Sequence, residues 1–226
     1  MMRQTRFMNT PDEITTQEST VEDWTHALGK PIGAPGGGAG AGVMLAIAAS
    51  LTSMVAGYTD AEKNPGNQLE EILTRAQNLR RTALRLADDD AAASQAFGAA
   101  FKLDRGEERD QAIREASVGA AQSSAKLGEH AVEAIDDLIW LAENGKSALI
   151  ADVVVAFGAL RAAVAGARTN VSFDLGTLRA SGSTLEQIRQ QHPELWETVH
   201  RFDDAMERID ASTAAIDQRA APTGSH

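Results

Sequence analysis

A run of small residues, Ala34-Pro35-Gly36-Gly37-Gly38-Ala39-Gly40-Ala41-Gly42, leads into an apolar stretch from Val43 to Tyr58. No charged residue interrupts the chain from Pro31 to Thr59. The apolar part reads as a helix, so the glycines sit where its first backbone N–H groups have no intrahelical partner and favour an anion or a carbonyl oxygen. A glycine costs a helix about 1 kcal/mol relative to alanine. Close helix packing or an oxygen-binding cradle would each offset that cost, and the run by itself admits both. It is not a phosphate loop, because no Lys-Ser or Lys-Thr follows the glycines. It is not a dinucleotide fingerprint, because no strand precedes it.

Hydrophobic residues make up 43% of the 226-residue chain and aromatic residues only 4%, so the apolar content is mainly Ala, Leu, Val and Ile. That composition suits closely spaced helices. There is no cysteine, which excludes disulfides and thiolate metal sites and fits a reducing, cytoplasmic location. The net charge of −11 argues against nucleic-acid binding. The polar N-terminus carries Arg3 and Arg6 and does not read as a signal peptide. Glycines, Ser50, Thr52 and Ser53 interrupt the uncharged span, so it reads as a buried core helix and no membrane contact is expected.

Residues 1–17 read as a flexible arm, 18–219 as one helical domain and 220–226 as a disordered tail. Ser19 or Thr20 before Glu22 and Asp23 signals a helix start, and Gly29 with Pro31 ends that short helix. The small-residue helix is expected over 39–57. After the turn Asn64-Pro65-Gly66-Asn67, the spacing Leu69, Ile72, Leu73, Ala76, Leu79, Ala83, Leu86 predicts a helix. Asp88-Asp89-Asp90 then starts or continues a helix through Phe101. A long helix is expected over 107–143, bent near Gly119 or Gly128, and another over 147–168. Val171 to Leu175 reads as ambiguous or extended, 181–183 as a linker, and Pro193 as the first turn of a last helix. The fold class is therefore all-α: a single-domain bundle with two buried small-residue helices, expected to form a homodimer.

Few residues stand out as chemistry. One of Asp88, Asp89 and Asp90 could point inward, since a helix cannot place three consecutive side chains on one face. Asp152 lies in an otherwise apolar run, where a carboxylate either caps a helix start or needs a partner. Asn170 reads as a helix C-cap. The histidines form no zinc pattern, and neither a metal nor a bound cofactor is expected.

In order along the chain, several segments resemble one family. They are Thr20-Val21-Glu22-Asp23-Trp24, then Ala34-Pro35-Gly36-Gly37-Gly38, then Leu51-Thr52-Ser53-Met54-Val55-Ala56-Gly57-Tyr58-Thr59. Leu79-Arg80-Arg81-Thr82, Asp90-Ala91-Ala92-Ala93, Phe101-Lys102-Leu103, Asn144-Gly145 through Asp152, and Asn170-Val171 follow. Together they resemble the formiminotransferase-cyclodeaminase C-terminal family, which includes free-standing methenyltetrahydrofolate cyclohydrolases. The resemblance implies an all-helical dimer with folate bound near the subunit interface. It carries over Gly36, Gly37, Gly38, Asp90, Asp152 and Asn170 as site residues.

The implied reaction is hydrolysis of 5,10-methenyltetrahydrofolate to 10-formyltetrahydrofolate. Cyclodeamination of formiminotetrahydrofolate, with loss of ammonia, and non-catalytic folate or partner binding are the alternatives. Under the enzymatic reading, Asp90 or Asp152 is the base and the other holds the pterin N–H groups. Lys102, Lys146 or Arg168 meets the substrate's glutamate. The chain departs from the family pattern at Ser94, Asp104, Lys146, Ala151 and Asp174, where Phe, Pro, Asn, Ser and Asn respectively are usual. If the glycine run is a ligand wall, Gly37→Val should abolish folate binding while leaving helix content intact, measured by ligand titration and circular dichroism.

Overall fold

Thr20 accepts a hydrogen bond from the Asp23 N–H at 3.1 Å and so caps the first helix, α1 (Val21–Leu28), which Gly29 ends. The computed structural model describes residues 14–31, 33–180 and 182–220, and among them there is no strand. After α1 come α2 (Gly37–Tyr58), α3 (Gln68–Ala100), α4 (Glu107–Glu133), α5 (Ile135–Asn144), α6 (Ile150–Ala180), α7 (Leu185–Gln191) and α8 (Pro193–Ala220). A 3-10 turn, Ser147–Leu149, leads into α6. Residues 14–17 of the expected arm are tied down: Thr16 N–H and the Gln17 amide donate to Asp88, and Trp24 Nε1 donates to Thr16. The rest of the arm, and the tail beyond Ala220, lie outside the described residues.

Helix α6 packs against α2, α4, α5 and α8, and α2 also lies against α3. The core is built from small side chains. Ala41, Ala48, Ala83, Ala131, Ala156, Ala163 and Ala167 are buried around larger anchors such as Leu45, Phe157 and Phe202. Such residues let backbones approach closely and shed little side-chain entropy on burial. A Cβ on Gly166 of α6 would lie 2.9 Å from the Cβ of Ala41 of α2, and one on Gly42 of α2 would lie 2.7 Å from the Cβ of Ala87 of α3. Both α2 and α6 have the length and apolarity of a membrane span, and both are packed on by neighbouring helices of the bundle.

The aspartates at 88–90 continue a helix, one of the two readings the sequence left open, because α3 runs unbroken through them. Three boundaries differ from those expected. The 107–143 segment breaks at Ala134, whose N–H bonds to Ala131 C=O at 3.2 Å, and not at either glycine. Gly128 stays helical because it is a packing position: a Cβ there would meet the Phe202 ring at 2.2 Å. Residues 171–175 are helical, since Val171, Leu175 and Leu178 continue the buried stripe of α6. Helix α7 was missed, although Thr184 and Gln187 form a reciprocal capping box.

Ion pairs fasten the outer helices. Arg75 of α3 forks onto the buried Asp137 of α5 at 2.7 and 3.1 Å. Arg161 and Arg168 of α6 reach Asp210 and Asp203 of α8. The Phe202 ring fills the space that Gly128 leaves open. Phe202→Ala should therefore cost about 3–5 kcal/mol of stability, measured by urea unfolding, because it vacates a fully buried site.

Candidate functional site

The N-terminus of α2 is where four elements converge. Gly36 is its cap residue and makes no side-chain capping bond. The first intrahelical bond runs from Gly40 N–H to Gly36 C=O, at 2.9 Å, so the N–H groups of Gly37, Gly38 and Ala39 face outward along the axis. The turn before it carries a cis Ala34–Pro35 peptide and Gly33 at φ +94°. Asp90 of α3 lies directly against this end. A Cβ on Gly38 would fall 2.1 Å from Asp90 Oδ1 and 2.5 Å from Oδ2. The Ala39 N–H hydrogen-bonds to the Asp90 carboxylate. The packing reading of the glycine run holds at two positions, and one position is left open. Gly38 and Gly42 are packing positions, while a Cβ on Gly37 would meet nothing within 4 Å.

Beside this contact is a cavity of about 310 Å³. Gly33, Gly37 and Gly38 form one wall and Asp90, Ser94, Phe97 and Gly98 of α3 a second. Ala120 and Ser124 of α4, with Asn170 and Asp174 of α6, complete it. Three helices each present a pair spaced four residues apart: Asp90 and Ser94, Ala120 and Ser124, Asn170 and Asp174. That spacing puts both members of a pair on one helix face. Its volume is at the lower end for small-molecule sites.

The two carboxyl groups differ in environment. Burial pushes Asp90 above the usual carboxylate range, and the Ala39 N–H opposes that rise. Asp174 is pushed up to about 7, first by burial and then by the charge of Asp90. Among the described residues that line the cavity there is no basic side chain.

The site therefore gathers Gly37, Gly38, Asp90 and Asn170, with Gly36 as the adjoining cap. It does not gather Asp152. That residue lies in the first turn of α6, about five turns before Asn170, or roughly 27 Å at about 1.5 Å per residue. Lys146 is at that same far end, over the Tyr58 ring at 5.2 Å and with its N–H on Thr59. Arg168 is engaged with Asp203 at 2.9 Å. Lys102 is exposed just past α3. Asn170 is not a C-cap, because α6 continues ten residues beyond it.

Ser94 and Asp174, which the sequence marked only as departures from the family pattern, line the cavity, and sequence reasoning missed Ser124 and Phe97. The four-residue spacing of Asp174 from Asn170 went unread because 171–175 is ambiguous in the sequence alone. Arg109 was also missed. It stacks over Phe101 at 5.5 Å in an adjoining groove of about 940 Å³, which Phe173 and Gly176 also line. Phe97 and Phe101, with centroids 4.9 Å apart, join the cavity to the groove.

Comparison with known proteins places this geometry in context. A family model described as formiminotransferase-cyclodeaminase matches residues 20–194. The methenyltetrahydrofolate cyclohydrolase of Methylorubrum extorquens is 30% identical over 179 residues, which span 76% of this chain and 86% of that protein. The crystal structure of formiminotetrahydrofolate cyclodeaminase from Thermotoga maritima shares the fold, with a TM-score of 0.73 at 22% identity over 88% of this chain and 98% of that one.

Two outcomes follow from the contact at Gly38 and the carboxyl pair. Gly38→Ala should destabilise the protein by about 1–3 kcal/mol in urea, because its Cβ displaces Asp90, while Gly37→Ala should be near neutral. The raised Asp174 group binds its proton more tightly folded than unfolded. Its favourable contribution is complete below about pH 4 and is lost as the pH rises through about 7. Asp174→Asn should therefore gain in melting temperature relative to wild type as the pH is raised across that window.

Proposed function

The chain belongs to the formiminotransferase-cyclodeaminase family, and from that membership we propose that it hydrolyses methenyltetrahydrofolate to 10-formyltetrahydrofolate. The observation that carries this reading is the charge of the cavity. The substrate's reactive carbon lies in a cationic amidinium, and the cavity offers it two carboxyl groups and no competing cation among its described lining. Burial first, and then the Asp90 charge, raise the pKa of Asp174, and that same Asp90 charge attracts a cation entering beside the pair. The Asn170 amide both donates and accepts, which suits the edge of a pterin ring.

The ring fits the cavity, and the benzoyl-glutamate part lies toward the groove. There Phe101 and Phe173 offer apolar surface and Arg109 a cation for a carboxylate. Arg109 thus takes the role that the sequence suggested for Lys102, Lys146 or Arg168. Lys102 adjoins Phe101 and can assist it. No step calls for a metal or a bound cofactor, since water adds directly to an activated cation. The cysteine-free composition suits the reducing cytoplasm.

We also propose that two copies pair through α2 and α6. Gly40, Met44, Ile47, Leu51, Met54 and Tyr58 recur on α2 at alternating spacings of four and three, the pattern of a helix-packing seam. Met44, Ile47 and Tyr58 are 42%, 47% and 62% exposed in the single chain. On α6, Ala151, Val155, Gly158, Ala162 and Ala165 repeat that spacing with smaller side chains. A second copy that covers both stripes accounts for their apolarity without a membrane or a nucleic acid.

Purified protein should accelerate the absorbance loss of methenyltetrahydrofolate over a blank, and no acceleration would overturn the assignment. Ammonia release from formiminotetrahydrofolate, assayed in parallel, distinguishes the cyclodeaminase. Arg109→Ala should raise KM about tenfold, equivalent to about 1.4 kcal/mol, with kcat little changed. Ile47→Glu should shift the protein from dimer to monomer in light scattering.

A further inference from the structure

We infer that Asp174 is the acid–base group of this cavity, and that Asp90 beside it is a fixed anion which positions the site. The inference rests on the cyclohydrolase reading and adds a division of labour between the two carboxyl groups. Asp90 is committed. Its oxygens fill the space over Gly38 and accept the Ala39 N–H at the positive end of α2, and its side chain is buried. A carboxylate packed against Gly38 and bound to a backbone N–H has no room to turn toward a substrate and is a poor proton carrier.

Asp174 is held by no such contact. It projects from α6 into the same cavity, one turn beyond Asn170 and partly open to solvent. The other lining groups cannot serve: Asn170 has no exchangeable charge, and the Ser94 and Ser124 hydroxyls ionise far above neutrality. Asp152 lies outside the cavity, about five helical turns before Asn170.

The charges that face Asp174 can be named element by element. From α2 comes only the positive end of the helix, through Gly37 and Gly38. From α3 comes Asp90. Its neighbours Asp88 and Asp89 are engaged with Thr16 and Gln17, and with Arg85. From α4 come the uncharged Ala120 and Ser124. Arg109 and Asp110 line the adjoining groove. Burial and the Asp90 charge together raise Asp174 into the neutral range, where a general base works best.

The step balances as follows. Water oxygen bonds to the cationic carbon, and one of its protons passes to the Asp174 carboxylate, which gives a neutral carbinol. The bond from that carbon to one ring nitrogen then breaks. The nitrogen takes the proton from Asp174, and the carbinol O–H proton leaves to solvent as the formyl C=O forms. The net change is one cation and one water converted to a neutral formyl product and a proton. Asp174 ends ionised, as it began.

The test is the pH dependence of hydrolysis by wild type, Asp174→Asn and Asp174→Ser, from about pH 5 to 9, followed by methenyltetrahydrofolate absorbance with blanks subtracted. In wild type, kcat should rise with pH through a limb near neutrality. Asp174→Asn should lower kcat by about 100-fold to 10,000-fold with KM little altered, and should abolish the limb. Asp174→Ser, which leaves space for a water, should show the same loss of the limb if the Asn variant fails to fold. Retention by either folded variant of the limb, with kcat within about threefold of wild type, overturns the inference and leaves the cyclohydrolase reading standing. Absence of turnover by wild type overturns both.

Discussion

The architecture depends on a close approach between α2 and α3, in which the Asp90 carboxylate occupies the space that a side chain on Gly38 would need. The approach is possible because two glycines one helical turn apart, Gly38 and Gly42, meet Asp90 and Ala87 on the facing helix. It gives the Ala39 N–H, in the first turn of α2, a carboxylate acceptor in the absence of any side-chain cap. It also brings a buried carboxylate to the edge of a cavity. Burial of Asp90 would be unfavourable without the backbone donor, and a helix that opens on several glycines would be unfavourable without the contact. Each irregularity offsets the other, and the candidate site lies at their junction.

The same contact separates two carboxyl groups that the sequence presents as equivalent. Asp90 faces a backbone donor, and Asp174 faces Asp90. A repelled neighbour and partial burial both favour the protonated form. The asymmetry therefore arises from helix placement and needs no special residue type.

Much of this was legible in the sequence, for identifiable reasons. Helices with a clear stripe, such as the one through Leu69, Ile72 and Ala76, were found because apolar periodicity reports a buried face. The start of α1 was narrowed to Ser19 or Thr20 because capping is local chemistry, and Thr20 is the cap. What failed were the inferences that required knowledge of neighbours. Asp88 to Asp90 could start or continue a helix, and only the unbroken course of α3 decides that they lie inside it. Val171 to Leu175 carries β-branched and aromatic residues that suit a strand, but Val171 and Leu175 are anchored in the core as helix. That ambiguity left the relation of Asp174 to Asn170 unread, because a four-residue spacing joins two side chains only on a helix. Asp152 attracted attention as a charge in an apolar run. The structure places it in the first turn of α6, where a carboxylate is at home for reasons of helix polarity.

The alanine-dense core has a consequence for how this molecule can change. A core of large side chains can be altered by trimming, and its neighbours partly relax into the space. Where Ala41 meets Gly166, and where Ala87 meets Gly42, there is almost nothing left to trim. The one direction left for mutation is growth, and growth separates the helices that shape the cavity. Innovation is thereby channelled away from the spine of the bundle toward the cavity wall. There, a polar residue can be exchanged for another of similar size without moving a backbone.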